Sequence, residues 1–136
     1  MRSMPSQEMN LQTLLQEYQE LPEFQGAPLK SVNQQGGFKS TPLHIAIYRE
    51  KPDEVRTFLE AKADSNAAGE YGERPLQVAV NCGNSEIIEQ LLRAGARSDL
   101  KDEKGMDTWQ VAEALGFKKE LEEIVRRVVP AQLPVK

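Results

Sequence analysis

A spacing of 33 residues recurs along the chain and constrains its fold more than any other feature. Several independent series share this spacing. Their members are Leu43, Leu76 and Trp109; Ala46, Ala79 and Ala112; Leu59, Leu92 and Val125; Asn33, Asn66 and Asp99; and Gly72 and Gly105. A period of this length is typical of a solenoid, in which each unit buries its apolar face against the next.

Each unit is predicted to contain two short helices and a loop. In the middle unit Pro75 begins a helix, because a first-turn N–H has no intrahelical partner. Gly83 can end that helix in the left-handed conformation, and Ser85 is a suitable N-cap for the second helix. Gly95 ends the second helix. The flanking units repeat the pattern, so the chain is expected to be all-α.

The residues at the start of the first unit carry a family resemblance. The segment Thr41–Ala46 reads Thr-Pro-Leu-His-Ile-Ala and resembles the Thr-Pro-Leu-His-x-Ala signature of ankyrin repeats, which have this period. The segment Leu91–Ala96 resembles the end of their second helix. The resemblance covers residues 32–128 and implies an ankyrin-repeat solenoid of stacked helix-turn-helix units with hairpin-like loops.

The domain boundaries follow from the repeat register. A single ankyrin-repeat domain is expected over residues 8–129, comprising an N-terminal capping helix (8–21), repeat 1 (33–65), repeat 2 (66–98) and repeat 3 with the C-terminal cap (99–128). Residues 1–7 are expected to be a disordered N-terminus or a cloning remnant. Residues 130–136 are expected to form a frayed tail, because Pro130 and Pro134 disfavour helix.

The first and third units depart from the family pattern. Glu50 and Lys62 replace the two C-cap glycines of the first unit. If both adopt the left-handed conformation, each is strained by roughly 1 kcal/mol. The first unit is therefore predicted to be the weakest or to have an altered loop. In the third unit Trp109 is bulkier than the usual leucine, so the C-terminal end must make room for it.

The N-terminal segment contains one apolar stripe at helical spacing. It is formed by Leu11, Leu14, Leu15, Tyr18 and Leu21. The stripe predicts a capping helix that packs on the first repeat. The alternative is a detachable helix that binds a second partner.

Composition limits the function classes. The net charge is −4 and no run of basic residues is present, which argues against nucleic acid as a partner. The single cysteine cannot form an intramolecular disulfide and suits a reducing compartment. Neither a signal peptide nor a membrane span is evident in the sequence. A cytoplasmic protein, monomeric when free and without membrane contact, is expected.

Catalysis and cofactor binding are not predicted. The only histidine, His44, occupies the motif position whose side chain, by the resemblance, hydrogen-bonds backbone and threonine at the turn. Gln77 and Gln110 occupy the equivalent positions and can also donate and accept hydrogen bonds. Cys82 has no visible activating base, and the Cys and His ligands of a metal site are absent. The sequence therefore predicts a non-enzymatic protein without metal or cofactor.

The resemblance implies that partners contact the hairpin tips and the exposed side of each first helix, which together form a concave surface. The residues that the register places there are Phe38, Ser40, Tyr48, Arg49, Glu70, Tyr71, Glu73, Asn81, Cys82, Glu103, Lys104 and Met106, with Ala114 and Leu115 beside them. Phe38, Tyr48 and Tyr71 are aromatic residues that the framework does not require. The alternative is that Tyr48 and Tyr71 only pack against neighbouring hairpins.

Three functional hypotheses remain open on sequence alone. The first is a module that binds another protein through its concave surface. The second is an inhibitor or immunity protein that blocks a cognate enzyme or toxin. The third is a two-partner adaptor that uses the N-terminal helix as a second site. The acidic residues favour basic groups on the partner, which would raise the association rate more than the affinity.

Overall fold

The computed structural model describes residues 10–134. Within that range all regular structure is helical, which confirms the predicted fold class. The α-helices are α1 (Leu11–Gln19), α2 (Pro42–Tyr48), α3 (Pro52–Glu60), α4 (Pro75–Cys82), α5 (Ser85–Arg93), α6 (Thr108–Leu115) and α7 (Lys118–Val128). Short 3-10 turns span Gly37–Lys39, Glu70–Gly72 and Pro130–Gln132. The predictions for residues 1–7, and for the first two residues of the capping helix, fall outside the described range.

The helices form two rows. Helices α2, α4 and α6 contact one another in sequence and form an inner row, whereas α1, α3, α5 and α7 form an outer row. Each inner helix also packs against the outer helix that follows it in the chain. Ala46, Ala79 and Ala112 are fully buried, so their small side chains let neighbouring helices approach closely. The 33-residue period thus corresponds to one helix pair of the stack.

Polar side chains satisfy the free backbone groups at the helix starts. The Thr41 hydroxyl accepts from the backbone N–H of His44 to begin α2, and the Asp107 carboxylate accepts from that of Gln110 to begin α6. In α5 the N-cap is Asn84, whose side chain accepts from the N–H of Ile87. The predicted N-cap, Ser85, is instead the first helical residue, so that prediction was wrong by one position.

The residues that end the helices of repeat 1 adopt the left-handed conformation on which its expected lower stability depends. Gly83 and Gly116 end α4 and α6 in the left-handed region, with φ of 67° and 72°. Glu50 and Lys62 adopt the same region after α2 and α3, with φ of 53° and 72°. A side chain in this conformation costs about 1 kcal/mol or more relative to glycine. Repeat 1 therefore keeps the loop geometry of repeat 2 at the expense of stability.

Replacing Lys62 by glycine is expected to stabilise the protein by up to about 1 kcal/mol, because it relieves the left-handed strain. Urea unfolding followed by circular dichroism measures the change. Glu60→Gly, two residues earlier in α3, is the control and should destabilise by about 1 kcal/mol, since glycine disfavours helix. Equal destabilisation by both substitutions would show that Lys62 is not strained.

Asparagine side chains join successive repeats behind the hairpins. The Asn66 amide donates to the carbonyl of Gly95 at 3.3 Å and accepts from the N–H of Arg97 at 2.8 Å. Asn33 makes the equivalent pair of hydrogen bonds one repeat earlier. These bonds satisfy backbone groups that follow the outer helices, which accounts for the recurrence of asparagine at this register position.

The described part of the C-terminal tail is ordered, which corrects the prediction of fraying from residue 130. Gln132 donates to the carbonyl of Ala96 at 2.9 Å and accepts from the N–H and hydroxyl of Ser98 at 2.7 and 2.8 Å. The indole N–H of Trp109 donates to the same Ser98 hydroxyl at 3.0 Å. Leu133 packs against the core. Trp109 and the tail residues together line an open cavity of about 470 Å³.

The capping position before repeat 1 is occupied by α1, which packs against α3. Tyr18 is buried, and its ring meets that of Phe58 edge-on at 5.1 Å. Its hydroxyl donates to Glu54 at 2.5 Å, and the guanidinium of Arg49 lies 5.4 Å from its ring centroid. Burial and the neighbouring Glu54 carboxylate raise the pKa of Tyr18 far above its usual value, so it remains a hydrogen-bond donor. Of the apolar stripe, Leu14 and Tyr18 are buried, and the remaining leucines are half-buried against the core.

Candidate protein-binding surface

The inner face of the stack comprises the three hairpin tips (37–39, 70–72 and 103–105) and the exposed sides of α2, α4 and α6. Each hairpin is closed by an equivalent backbone hydrogen bond. These bonds run from Gly36 N to Ser40 O, from Gly69 N to Glu73 O, and from Asp102 N to Met106 O, at 2.7, 2.8 and 2.9 Å. A further bond from Glu103 N to Tyr71 O, at 2.9 Å, joins the second and third hairpins. The second and third tips are therefore held in a fixed relation, whereas the first hairpin is joined to the second through the Gln35 side chain, which donates to the Ala68 carbonyl at 2.9 Å.

Two successive hairpin tips each expose an aromatic ring from a strained backbone. Phe38 is 72% exposed with φ of 60°, and Tyr71 is 63% exposed with φ of 56°. The third tip closes without this strain, since Lys104 does not have a positive φ and the Asp102 carboxylate accepts from two turn N–H groups. The fold therefore does not require a left-handed aromatic residue at either of the first two tips.

Tyr48 is the last residue of α2, and its side chain reaches the second hairpin. Its side chain is 50% exposed, and its hydroxyl donates to the Glu73 carboxylate at 2.8 Å. Burial and the Glu73 and Glu70 carboxylates raise the pKa of Tyr48 above its usual range. The hydroxyl thus packs against the hairpin, as the alternative interpretation expected, while half of the residue remains available on the surface.

His44 and Cys82 are engaged in ways that do not support catalysis. His44 is buried, and its two ring nitrogens contact the Thr41 hydroxyl at 2.8 Å and the Glu73 carbonyl at 3.0 Å. The Cys82 thiol lies 3.8 Å from the carbonyl of Ile47, and burial with two nearby carboxylates raises its pKa. A protonated thiol is a poor nucleophile. The predicted hydrogen-bonding role of His44 is confirmed.

Comparison with known proteins identifies the family. A family model of ankyrin repeats, in three copies, matches residues 10–102. The chain belongs to the ankyrin-repeat family. The match begins at α1 and ends in the third hairpin, and the α6–α7 pair continues the same packing beyond it. No curated protein matches the chain. Ankyrin repeats are in general protein–protein interaction modules.

Residues 10–134 of this ankyrin stack contain neither a candidate metal site nor a candidate membrane-spanning helix. No group of three or more His, Cys, Asp or Glu residues among residues 10–134 is placed to hold a metal ion. None of the helices in that range is long and apolar enough to cross a membrane.

The structure places most of the predicted contact residues on the inner face. Those that are exposed are Phe38, Tyr48, Arg49, Tyr71, Asn81, Glu103, Lys104, Ala114 and Leu115. Glu70, Glu73, Cys82 and Met106 are half-buried. Ser40 closes the first hairpin and is only 8% exposed, which corrects its assignment as a contact residue.

Arg49 also differs from its predicted role. Its guanidinium lies 3.7 Å from the Glu54 carboxylate and over the Tyr18 ring, so it joins α2 to α3 and α1. In the ankyrin stack this side chain is turned toward the capping helix rather than toward the hairpin tips. We therefore assign it to the framework.

Glu50 is an exposed acidic residue in the turn between α2 and α3, beside the inner face, that sequence reasoning missed. It was interpreted only as a strained helix end, yet its side chain is exposed and accepts from Asn84 Nδ2 at 3.2 Å. Its charge contributes to the raised pKa of Cys82. The sequence could have indicated Glu50, because it directly follows residues 48 and 49, two positions that the repeat register leaves outside the framework.

His44 makes stability depend on pH, because burial lowers its pKa in the folded state. The unfolded histidine has the ordinary pKa of about 6.5. The stability that the neutral ring contributes is therefore present above pH 6.5 and is lost as pH falls toward the folded-state pKa. Urea unfolding of wild type and His44→Gln between pH 5 and 8 should show the wild-type advantage shrinking with acidification.

The glutamine variant is a matched control because Gln77 fills the equivalent position in repeat 2. Gln77 accepts from Arg74 N at 2.7 Å and donates to the Met106 carbonyl at 2.8 Å. Since His44 is the only histidine, the difference between the two proteins isolates its titration. A difference that stays constant from pH 5 to 8 would contradict the assignment.

Proposed function

We propose that this protein is a non-enzymatic binding module whose inner face captures another protein. The observation that carries the proposal is the pair of exposed aromatic residues, Phe38 and Tyr71, held in left-handed backbone at successive hairpin tips. Strained residues that the fold does not require are typical of functional sites. Aromatic side chains are also enriched at the hot spots of protein interfaces.

The arrangement suits recognition in two further ways. A backbone hydrogen bond closes each hairpin and another joins the second to the third, so little conformational freedom is lost when a partner binds. Tyr48 adds a third aromatic surface, and its hydroxyl is already bonded to Glu73. Leu115, 50% exposed at the end of α6, extends the apolar area toward repeat 3. The single cysteine supports a cytoplasmic setting.

Partner capture with a matched pair of variants tests the proposal. The surface variant carries Phe38→Ala, Tyr48→Ala and Tyr71→Ala, and is expected to keep its helical circular dichroism while losing its partner. Capture is measured by affinity purification with quantitative mass spectrometry, and then by calorimetry with the purified partner.

The control variant changes three exposed or half-exposed residues of the outer row, Arg56→Ala, Glu60→Ala and Arg93→Ala, and should capture the partner normally. A surface variant that binds like wild type would refute the inner-face proposal. If only the control variant loses binding, the binding site lies on the outer row instead.

The inhibitor or immunity form of the proposal is tested on the captured partner. If the partner is an enzyme or toxin, its activity should fall in the presence of wild-type protein and remain unchanged with the surface variant. Undiminished partner activity in the complex would exclude this form and leave simple binding.

A further inference from the structure

We infer that the partner presents a basic segment, with Lys or Arg side chains interspersed among apolar ones, to the centre of the inner face. This inference rests on the proposed function and specifies the chemistry of its partner. It depends on the unpaired carboxylates and the exposed aromatic side chains of the hairpins.

Four carboxylates lie on or beside the inner face without a cationic partner. They belong to Glu50, Glu70, Glu73 and Glu103, and none forms an ion pair with another residue in the range 10–134. Glu73 accepts from Tyr48, and Glu50 accepts from Asn84, but both donors are neutral. The negative charge of this surface is therefore uncompensated.

The ion pairs of the described chain lie elsewhere. They join Arg49 to Glu54, Arg56 to Asp53, Arg93 to Glu89, Arg127 to Glu89, and Arg97 to Asp99. Most of these residues lie on the outer helices, whereas Arg49 follows the inner helix α2 and the Arg97–Asp99 pair lies in the loop after α5. Arg93 and Arg127 both bond Glu89 and lower the pKa of that carboxyl, consistent with a charge that is already partnered. Glu120, Glu122 and Glu123 on α7 are also unpaired within the range 10–134, so what distinguishes the inner face is that its unpaired carboxylates lie near exposed aromatic side chains. That combination is suited to a cationic partner.

The nearby cations do not neutralise the centre of the inner face. Arg49 is occupied by Glu54 and the Tyr18 ring. Arg74 donates to the backbone carbonyls of Asn66 and Lys101 behind the second hairpin. Lys39 and Lys104 stand on the first and third hairpin tips, at the two ends of the surface. The second tip, with Tyr71 between Glu70 and Glu103 in the stack, remains negative.

The same tip residues offer a second attraction to cations. An ammonium or guanidinium group within about 6 Å of an aromatic ring is stabilised by the electron-rich ring face. The exposed ring of Tyr71 provides such a face beside Glu70 and Glu103, and the exposed ring of Phe38 provides a second one on the preceding hairpin tip. A basic side chain that meets both a ring and a carboxylate gains more than one that meets either alone, whereas an acidic segment would be repelled.

Selection from a random library of 12-residue peptides tests the inference even while the natural partner is unidentified. Peptides enriched on the immobilised full-length protein should carry an excess of Lys and Arg. Their affinity should fall at least tenfold for the variant Glu70→Gln, Glu73→Gln, Glu103→Gln, which keeps the shape of the surface and removes its charge.

The matched control removes the same charge from α7, with Glu120→Gln, Glu122→Gln and Glu123→Gln. It should bind the peptides within twofold of wild type, since those residues lie in the outer row. Equal loss in both charge variants would show attraction to net charge alone and would overturn the inference.

The remaining outcomes separate this inference from the function on which it rests. Neutral or acidic peptides that lose binding to Phe38→Ala would overturn the basic-partner inference and leave the inner face as a binding surface. Basic peptides that bind normally to Phe38→Ala and to the inner-face charge variant would overturn both. Failure to enrich any peptide also counts against the inference.

Discussion

Replacing Phe38 and Tyr71 together by glycine is expected to abolish partner binding while leaving the stability of the fold within about 1 kcal/mol of wild type. Each ring is expected to contribute about 2 kcal/mol as an interface hot spot, so each loss weakens binding about 30-fold and both together about 1,000-fold. Glycine accepts the left-handed backbone without strain, which offsets its greater loss of conformational freedom on folding. Calorimetry with the captured partner and urea unfolding measure the two effects.

The third hairpin provides the control for this experiment. Lys104→Gly changes the equivalent tip residue, which is neither aromatic nor left-handed. It should bind the partner at least as tightly as wild type, and more tightly if the partner is basic. A double variant that retains its full affinity would show that the strained aromatic tips serve no binding function.

Replacing Tyr18 by alanine is expected to destabilise the protein by about 3–5 kcal/mol, the usual cost of emptying a buried aromatic site. The substitution would leave a cavity and remove three interactions of Tyr18: the edge-on contact with Phe58, the hydrogen bond to Glu54 and the contact of its ring with Arg49. Because these contacts join α1 to α3, unfolding is expected to begin at repeat 1. Urea unfolding gives the total loss, and hydrogen exchange locates it.

Two further substitutions resolve what Tyr18 contributes. Tyr18→Phe keeps the ring and removes only the hydroxyl, so a loss of about 1 kcal/mol is expected. Gln16→Ala changes an exposed residue of the same helix and should have little effect. A Tyr18→Ala protein that is as stable as wild type but has lost one of two partners would instead support α1 as the second site of an adaptor.

The framework could be predicted from sequence because its requirements recur. Ala46 and the alanine 33 residues later are both buried where neighbouring helices approach closely, and His44 and Gln77 make equivalent hydrogen bonds. A requirement that repeats along the chain appears as a period. The positions left over by that period were then open to a functional interpretation, and Phe38 and Tyr71 are exposed as expected.

What the period could not predict depends on contacts made only once. Arg49 contacts Tyr18 and Glu54, and the 33-residue series do not extend to Tyr18, so the period could not reveal that contact. Ser40 is buried at the base of the first hairpin, although the equivalent Glu73 and Met106 are half-exposed. The strain at the aromatic tips is a backbone property that the residue types alone do not indicate.

The hydrogen bonds of Gln132 have a consequence for changing the length of the array. The loop that follows α5 is held on one side by Asn66 and on the other by Gln132. An additional 33-residue unit appended after α7 would displace the glutamine and separate Trp109 from its present neighbours. A unit with the sequence of repeat 2, inserted directly after Ser98, would instead leave both terminal structures intact and add one more hairpin tip to the binding surface.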